Sequence, residues 1–423
     1  MKQIAICVFL WVVPHSVLMA QPMKLTLDEC LGQAVKNHPL NAQNELYEQS
    51  TGLQQQIIDL GKLPQLNVNG QATYQNAVTE LPISMPGFSA PEIPKLQYKI
   101  SLDANQLIYG GGAIGYQNEL EGFNQKINQA NNEAELYKIK ERINQLFFSI
   151  LLTNLNISVI NNTINDLATR QAKILAGVKD EILLQSAADV IQAEILKAGQ
   201  RLLETKAQKK AMVSTLSILT GIPINEETEF EIPAIEVDLS KYDNLRPEFG
   251  TFGLMQQKLE VSKKLAATRD LPKVFGFGTL GYGRPGFNMF REEADIFYIA
   301  GAKATWNFWN WHQTDREKQL LGLNKQIIEN QKNAYDLVNK SQVQQYLADV
   351  GKSTELLKSD DEIILLRKAI TRSAATQLEN GTLTATEFVT EQLAEEQAYL
   401  MRNLHQIQLL QAKASYKAAT GGL

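Results

Sequence analysis

The chain has 423 residues, 44% hydrophobic and 21% charged, with 41 lysines and arginines against 46 aspartates and glutamates. That composition excludes a disordered or collagen-like chain, and a net charge of −5 provides no basic face for nucleic acid. Two cysteines, Cys7 and Cys30, and four scattered histidines, His15, His38, His312 and His405, make a structural zinc site unexpected, and no metal or cofactor is expected.

Residues 1–20 read as an export signal. Lys2 supplies the positive charge, Ile4 to Val13 form a short apolar run, and Ala20 before Gln21 is a plausible cleavage point. The mature chain then keeps only Cys30, so no internal disulfide is expected, and no cysteine stands at the cleavage point to carry a lipid. Beyond residue 20 the unbroken apolar runs are only a few residues long, so no transmembrane helix is expected and any membrane role must use strands.

A short helix is expected from Pro39 to Gly61, where Leu46, Leu53, Ile57 and Leu60 make a heptad seam. From Gln65 to Tyr74 the chain alternates strictly: Leu66, Val68, Gly70, Ala72 and Tyr74 face one way, and Gln65, Asn67, Asn69, Gln71 and Thr73 the other. That dyad suits a transmembrane β-strand with lipid on one side and water on the other. Pro82, Pro86, Pro91 and Pro94 mark an exposed loop, and a second strand is expected over 97–108. Gly110-Gly111-Gly112 lacks a following Gly-Lys-Ser/Thr and is read as a strand-to-helix turn, not a phosphate loop. Long helices should then run from Gly112 to a break near Gly177 and back to Gly221, where Thr220-Gly221 suits a C-cap. Residues 222–246 read as an extended linker.

The same order then recurs. Pro39–Tyr74 aligns onto Pro247–Tyr282 at an offset of 208, and Ala104, Leu120, Asn124, Ile127 and Thr220-Gly221 align onto Ala304, Leu320, Asn324, Ile327 and Thr420-Gly421 at 200. Two repeats are expected, 21–246 and 247–423. The second should carry strands near 273–282 and 296–309, with Tyr298, Trp306, Phe308, Trp309 and Trp311 suited to an interfacial girdle, and helices breaking at Gly381 and Gly421. The expected fold is mainly α with a β-barrel portion, its helical columns roughly 100 Å long at 1.5 Å per residue. Four strands cannot close a barrel, so subunits must share one and the protein must be an oligomer.

These features resemble the TolC-type outer membrane efflux proteins over nearly all of the mature chain. The resemblance rests on Leu25-Thr26-Leu27-Asp28-Glu29-Cys30 with Asn37-His38-Pro39, on Leu63-Pro64-Gln65-Leu66, and on Leu107-Ile108-Tyr109-Gly110-Gly111. Ala188-Asp189-Val190-Ile191-Gln192-Ala193-Glu194 and Leu216-Ser217-Ile218-Leu219-Thr220-Gly221 add to it. It implies a non-enzymatic homotrimer in the bacterial outer membrane, extending into the periplasm as a helical tunnel. Such a duct is the passive exit of a tripartite efflux or type I secretion system, with a periplasmic adaptor and an inner-membrane pump as partners. It also implies adaptor-docking helix turns at Gly177 and Gly381, with an insertion near Asp180–Ser186 because Asp189 falls twelve residues after Gly177. Glu387, six residues after Gly381, would supply an acidic ring at the pore constriction, with Glu391 the weaker candidate. Crowding in that ring would raise the carboxylate pKa values. A coiled-coil envelope spacer or adhesin without a pore is the alternative that the alternating strand opposes.

Overall fold

The computed structural model describes residues 24–79, 93–239, 242, 244–288, 291 and 293–422. The expected signal segment and Pro82, Pro86 and Pro91 lie outside the described residues.

In chain order the elements are β1 (Lys24–Leu25), α1 (Leu27–Asn37), α2 (Pro39–Asp59), β2 (Gln65–Tyr74), β3 (Leu96–Tyr109), α3 (Ala113–Lys179) and α4 (Gln185–Thr220). Then come β4 (Glu229–Phe230), α5 (Pro247–Ala267), β5 (Lys273–Arg284), β6 (Asp295–Thr305), α6 (Gln313–Glu379) and α7 (Ala385–Ala419). The periodicity appears as matched elements. α2 and α5 have 21 residues each and begin 208 apart, and each runs into a three-residue 3-10 turn. α3 and α6 have 67 residues each and begin 200 apart. The difference, 208 − 200 = 8, places eight extra residues between the start of β2 and the start of α3 relative to the starts of β5 and α6.

The chain forms two compact units, and neither follows the repeat boundary. The first comprises Met1–Asn37, Ile139–Leu239 and Tyr346–Tyr416. Here α1, which the sequence reading left without a helix, opens with a reciprocal cap: the Thr26 amide donates to Glu29 and the Glu29 amide to the Thr26 hydroxyl. Leu27, Cys30, Leu31 and Ala34, at helical spacing, bury its inner face. The expected linker is not wholly extended and free, because β4 pairs in parallel with β1 and puts the Phe230 ring edge-on to Phe147, centroids 5.6 Å apart. By length and composition alone α3 could cross a membrane, since it contains an 18-residue window of mean hydropathy 1.5. Phe147, Phe148, Ile150 and Leu151 of that helix are buried in this unit, as in a core helix.

The second unit comprises His38–Lys138, Ser240–Gln345 and Lys417–Leu423. Its buried centre is Arg246, whose guanidinium lies 5.1 Å from the Tyr137 ring centroid and 6.0 Å from that of Tyr335 while it ion-pairs with Glu248 at 2.8 Å. Burial works to raise the Glu248 carboxyl, but hydrogen bonds from Arg246, its own amide and Tyr335 hold it below its ordinary value. The heptad stripe of α2 and the turn after it is not a core seam within this chain: Leu46, Leu53, Ile57 and Leu60 are exposed, whereas Val261 of the matching α5 is buried.

Candidate functional site

Four antiparallel strands make one sheet in the order β2-β3-β5-β6, inside the second unit. β2 spans the residues the alternation marked out. β6 is shorter than expected, ending at Thr305 rather than 309, because its partner β5 begins at Lys273, opposite Thr305. Past that point Trp306 donates its indole N–H to the Asp270 carbonyl at 2.9 Å, and Asn310 and Thr314 bond the Asp270 carboxylate. The chain thereby turns into α6.

Directly opposed residues share a face, so the register sorts the sheet. One face carries Leu66, Val68 and Tyr74 of β2, Tyr98, Ile100 and Leu102 of β3, Leu280 and Tyr282 of β5, and Ile296 and Tyr298 of β6. All of them are exposed. The other carries Gln65, Asn67, Asn69 and Gln71 opposite Asn105, Asp103, Ser101 and Lys99. There the Asp103 carboxylate accepts from Asn69 at 2.6 Å, Ser101 at 3.0 Å and Thr279 at 2.5 Å, which knits three strands across the polar face. An exposed face of branched aliphatics and tyrosines on a sheet whose reverse is amides and hydroxyls is the pattern of a strand set between lipid and water. Tyr298 and Trp306 stand eight residues apart, about 27 Å along a strand, the scale of the apolar band in a transmembrane barrel. Trp306, Phe308, Trp309 and Trp311 are all exposed at that end.

At the strand-to-helix turns, Gly111 and Gly112 take φ of 65° and 82°, while Trp311 and His312, their equivalents 200 residues on, take 54° and 60°. The glycine turn thus behaves as the sequence indicates. The second copy holds two side chains in the left-handed region, where each costs on the order of 1 kcal/mol. The Trp309 ring packs on both, 5.7 Å from Trp311 and 5.8 Å from His312.

The helical turns lie in the first unit. Leu167, Ile174, Ala188 and Ile191 of α3 and α4 and Ala375, Leu378, Phe388 and Val389 of α6 and α7 share one core there. The α6–α7 reversal is at Gly381, with φ of 71°, and Thr382 donates to the Gln377 carbonyl at 2.9 Å. The α3–α4 reversal is not at Gly177. Gly177 is helical, and its carbonyl accepts from the Ile182 amide at 2.8 Å, as that of Gln377 does in the other turn. The left-handed residue is Glu181, φ 64°. Glu181 and Gly381 are 200 apart, so the turns superpose residue for residue and the expected insertion near Asp180–Ser186 does not exist. Counting from the wrong glycine produced it; extending the 200-residue register through the turn would have found Glu181. Because Glu181 carries a Cβ where Gly381 does not, Glu181→Gly should raise stability by about 1 kcal/mol, read as a higher thermal midpoint, and Gly381→Ala should lower it by a similar amount. A lower midpoint for Glu181→Gly would show that its side chain contributes more than its backbone strain removes.

Glu387 closes a capping box on α7. Its carboxylate accepts from the Thr384 amide at 2.9 Å and hydroxyl at 2.8 Å, and its own amide donates back to Thr384 at 3.3 Å. In the single chain its pKa therefore moves opposite to the expected crowding: the Thr384 amide, and then its hydroxyl, hold it below 4.5. The stabilisation it provides is present above the ordinary value and lost as pH falls through the lower folded one. The hydrogen-exchange protection factor of the Thr384 amide should accordingly drop on acidification below pH 4.5, and Glu387→Ala should flatten that dependence. Glu391 is engaged differently, in an ion pair with Arg367 at 3.1 Å. At the end of α6, Glu379 takes Arg170 and Lys173 of α3, tying α6 to α3 beside the turns.

No family model matches the sequence, and no curated protein matches it. Solved structures do match in fold. The outer-membrane channel OprN aligns with a TM-score of 0.71 at 12% identity, over 94% of this chain and 90% of its own. VceC, an outer membrane protein of Vibrio cholerae, gives 0.70 at 10% identity, over 94% and 96%. The Campylobacter jejuni CmeC outer membrane channel gives 0.68 at 14% identity, over 94% and 85%. The chain therefore has the fold of these outer membrane channels, long paired helices with one four-stranded antiparallel sheet.

Proposed function

We propose that this protein is an outer membrane channel-tunnel, the passive exit duct of a tripartite efflux or type I secretion system. The observation that carries the reading is the four-stranded sheet: exposed and apolar on one face, polar on the other, with β2 and β6 at its edges and no further strand paired to them among the described residues. Open edges are not tolerated in lipid and four strands cannot close, so three chains would each give four strands to one barrel. The uncovered stripe on α2 gives the helices surface to bury between copies. On this reading residues 1–20 direct export, 21–246 and 247–423 are the two repeats, and the protein catalyses no reaction. The turns at 180–184 and 380–384 dock a periplasmic adaptor, with Gly177 acting through its carbonyl and Gly381 through its left-handed backbone, and an inner-membrane pump supplies the energy. Glu387 gives the negative charge at the constriction, since Glu391 is already matched by Arg367.

The test uses the full mature chain, purified in mild detergent and placed in planar bilayers. A trimer with steady single-channel conductance is expected, with cation selectivity weakened by Glu387→Gln and little affected by Glu391→Gln. A monomer that is soluble without detergent and conducts nothing would overturn the reading in favour of an envelope spacer.

A further inference from the structure

On the polar face of the sheet, at the end of the strands remote from the helices, lies a cleft of about 380 Å³. Beside it on the same face, Gly281 and Gly283 of β5 are buried, directly opposite Ser101 and Lys99. A Cβ on Gly281 would lie 2.3 Å from Phe297 Cζ, so the Phe297 ring covers the glycine on the neighbouring strand. A Cβ on Gly283 would lie 2.8 Å from Lys99 Cβ and 2.6 Å from the Tyr98 carbonyl oxygen. Either side chain would fill the space between the ring and the lysine.

The walls differ in chemistry. On one side the Phe297 ring meets Phe287 with centroids 4.7 Å apart, a two-ring apolar wall. On the other, Lys99 stands opposite Gln71, with Gln97 and Thr73 as the next pair on the same face. Among the described residues no ion pair holds the Lys99 ammonium. The nearest carboxylate on its own strand face, Asp103, has hydrogen bonds from Asn69, Ser101 and Thr279. The Lys99 ammonium, with Arg284 also lining the cleft, amide donors and two tilted rings around a cleft of this size select a ligand with an aromatic body and one anionic end.

We infer that this cleft is a binding subsite for small aromatic carboxylates, the carboxylate at Lys99 and the ring system against Phe297 and Phe287. The inference rests on reading the polar face as the lumen wall, and it adds a substrate class to that reading. The site is a resting point at the end of the duct, so binding there should be weak and reversible.

The experiment is an equilibrium titration of the detergent-purified full chain with 2-naphthoate and with its neutral counterpart 2-naphthamide, followed by ligand fluorescence anisotropy. Saturable binding is expected, with naphthoate about tenfold tighter than the amide, equivalent to one partly exposed charge-assisted contact. Lys99→Gln should bring naphthoate down to the level of the amide while leaving the amide unchanged. Phe297→Leu should weaken both. Lys99 is exposed, so its substitution leaves folding intact, which the unaltered amide binding of that variant checks. Equal affinity for the two ligands in the wild type, or naphthoate binding that survives Lys99→Gln, overturns the subsite. Because binding is read without a bilayer, a conducting trimer that binds neither ligand would sink the subsite alone, whereas a non-conducting monomer would sink the duct.

Discussion

Gly421→Ala should destabilise the protein by on the order of 3 kcal/mol, more than alanine at any of the other left-handed glycines of the helical turns and caps. Gly421 has φ of 88°, and a Cβ there would lie 2.3 Å from the Leu245 carbonyl carbon, 2.6 Å from the Arg246 nitrogen and 2.7 Å from the Leu245 oxygen. All three are backbone atoms, so relief requires moving the chain that enters α5. That chain also caps α7. The carbonyls at the helix end are fully used: Lys417 by the Gly422 amide, Ala418 by Gly421 and the Tyr137 hydroxyl, Ala419 by Asn339, and Thr420 by the Leu245 amide at 3.1 Å. Pushing Leu245 away breaks the last of these and disturbs Arg246, the buried centre of the unit. The first repeat provides the control. In Gly221→Ala the new Cβ would meet only the Asn37 side chain, Nδ2 at 2.8 Å, which can swing aside and lose its bond to the Thr220 carbonyl. Thermal midpoints of the purified protein should rank wild type, Gly381→Ala, Gly221→Ala and Gly421→Ala in descending order. A Gly421→Ala midpoint equal to that of Gly221→Ala would mean the Leu245 backbone yields freely.

Arg201→Met should produce a loss of similar size in the first unit, about 3 kcal/mol, for an electrostatic reason. Arg201 of α4 is 40% exposed along its side chain, but the groups it serves are not: Glu396 of α7 is 1% exposed and Glu194 is 8%. Its two terminal nitrogens reach Glu396 at 2.8 and 3.3 Å, and one lies 3.6 Å from Glu194. Lys197 also pairs with Glu194, at 3.4 Å, so Glu396 is the carboxylate left stranded. A buried carboxylate without a partner costs several times what the paired one contributes, and the arginine's partial exposure keeps the figure at the lower end of the range for a broken buried pair. The double variant Arg201→Met with Glu396→Gln should recover most of the stability, giving a large coupling energy. A defect that is the same in single and double variants would mean that the arginine acts through packing instead.

Periodicity carried most of the fold into the sequence. The strict alternation of Gln65–Tyr74 could only satisfy a two-faced strand, since a period of two places every apolar side chain on one side of the sheet. The repeat of Pro39–Tyr74 at 208 and of Thr220-Gly221 at 200 likewise marks where helices begin and stop, because proline at a helix start and glycine past its end are local backbone requirements. Local rules also contained α1, through the Thr26–Glu29 box, though a helix of 11 residues is easily passed over. What needed the tertiary structure were choices made between distant residues. Glu181 takes the conformation expected of glycine because the 67-residue helices and the shared core place the turn there, and Gly177 becomes merely the acceptor of its hydrogen bonds. Glu387 and Glu391, equal as acidic residues on a polar helix, are separated by what lies beside them: Thr384 in the same turn for one, Arg367 of the preceding helix for the other. The Phe297 ring over Gly281 depends on a pairing register between β5 and β6 that side-chain periodicity restricts only to every second residue. Side-chain pattern determines which face an element shows, but its neighbour across a gap of 15 to 200 residues is decided only when the packing is complete.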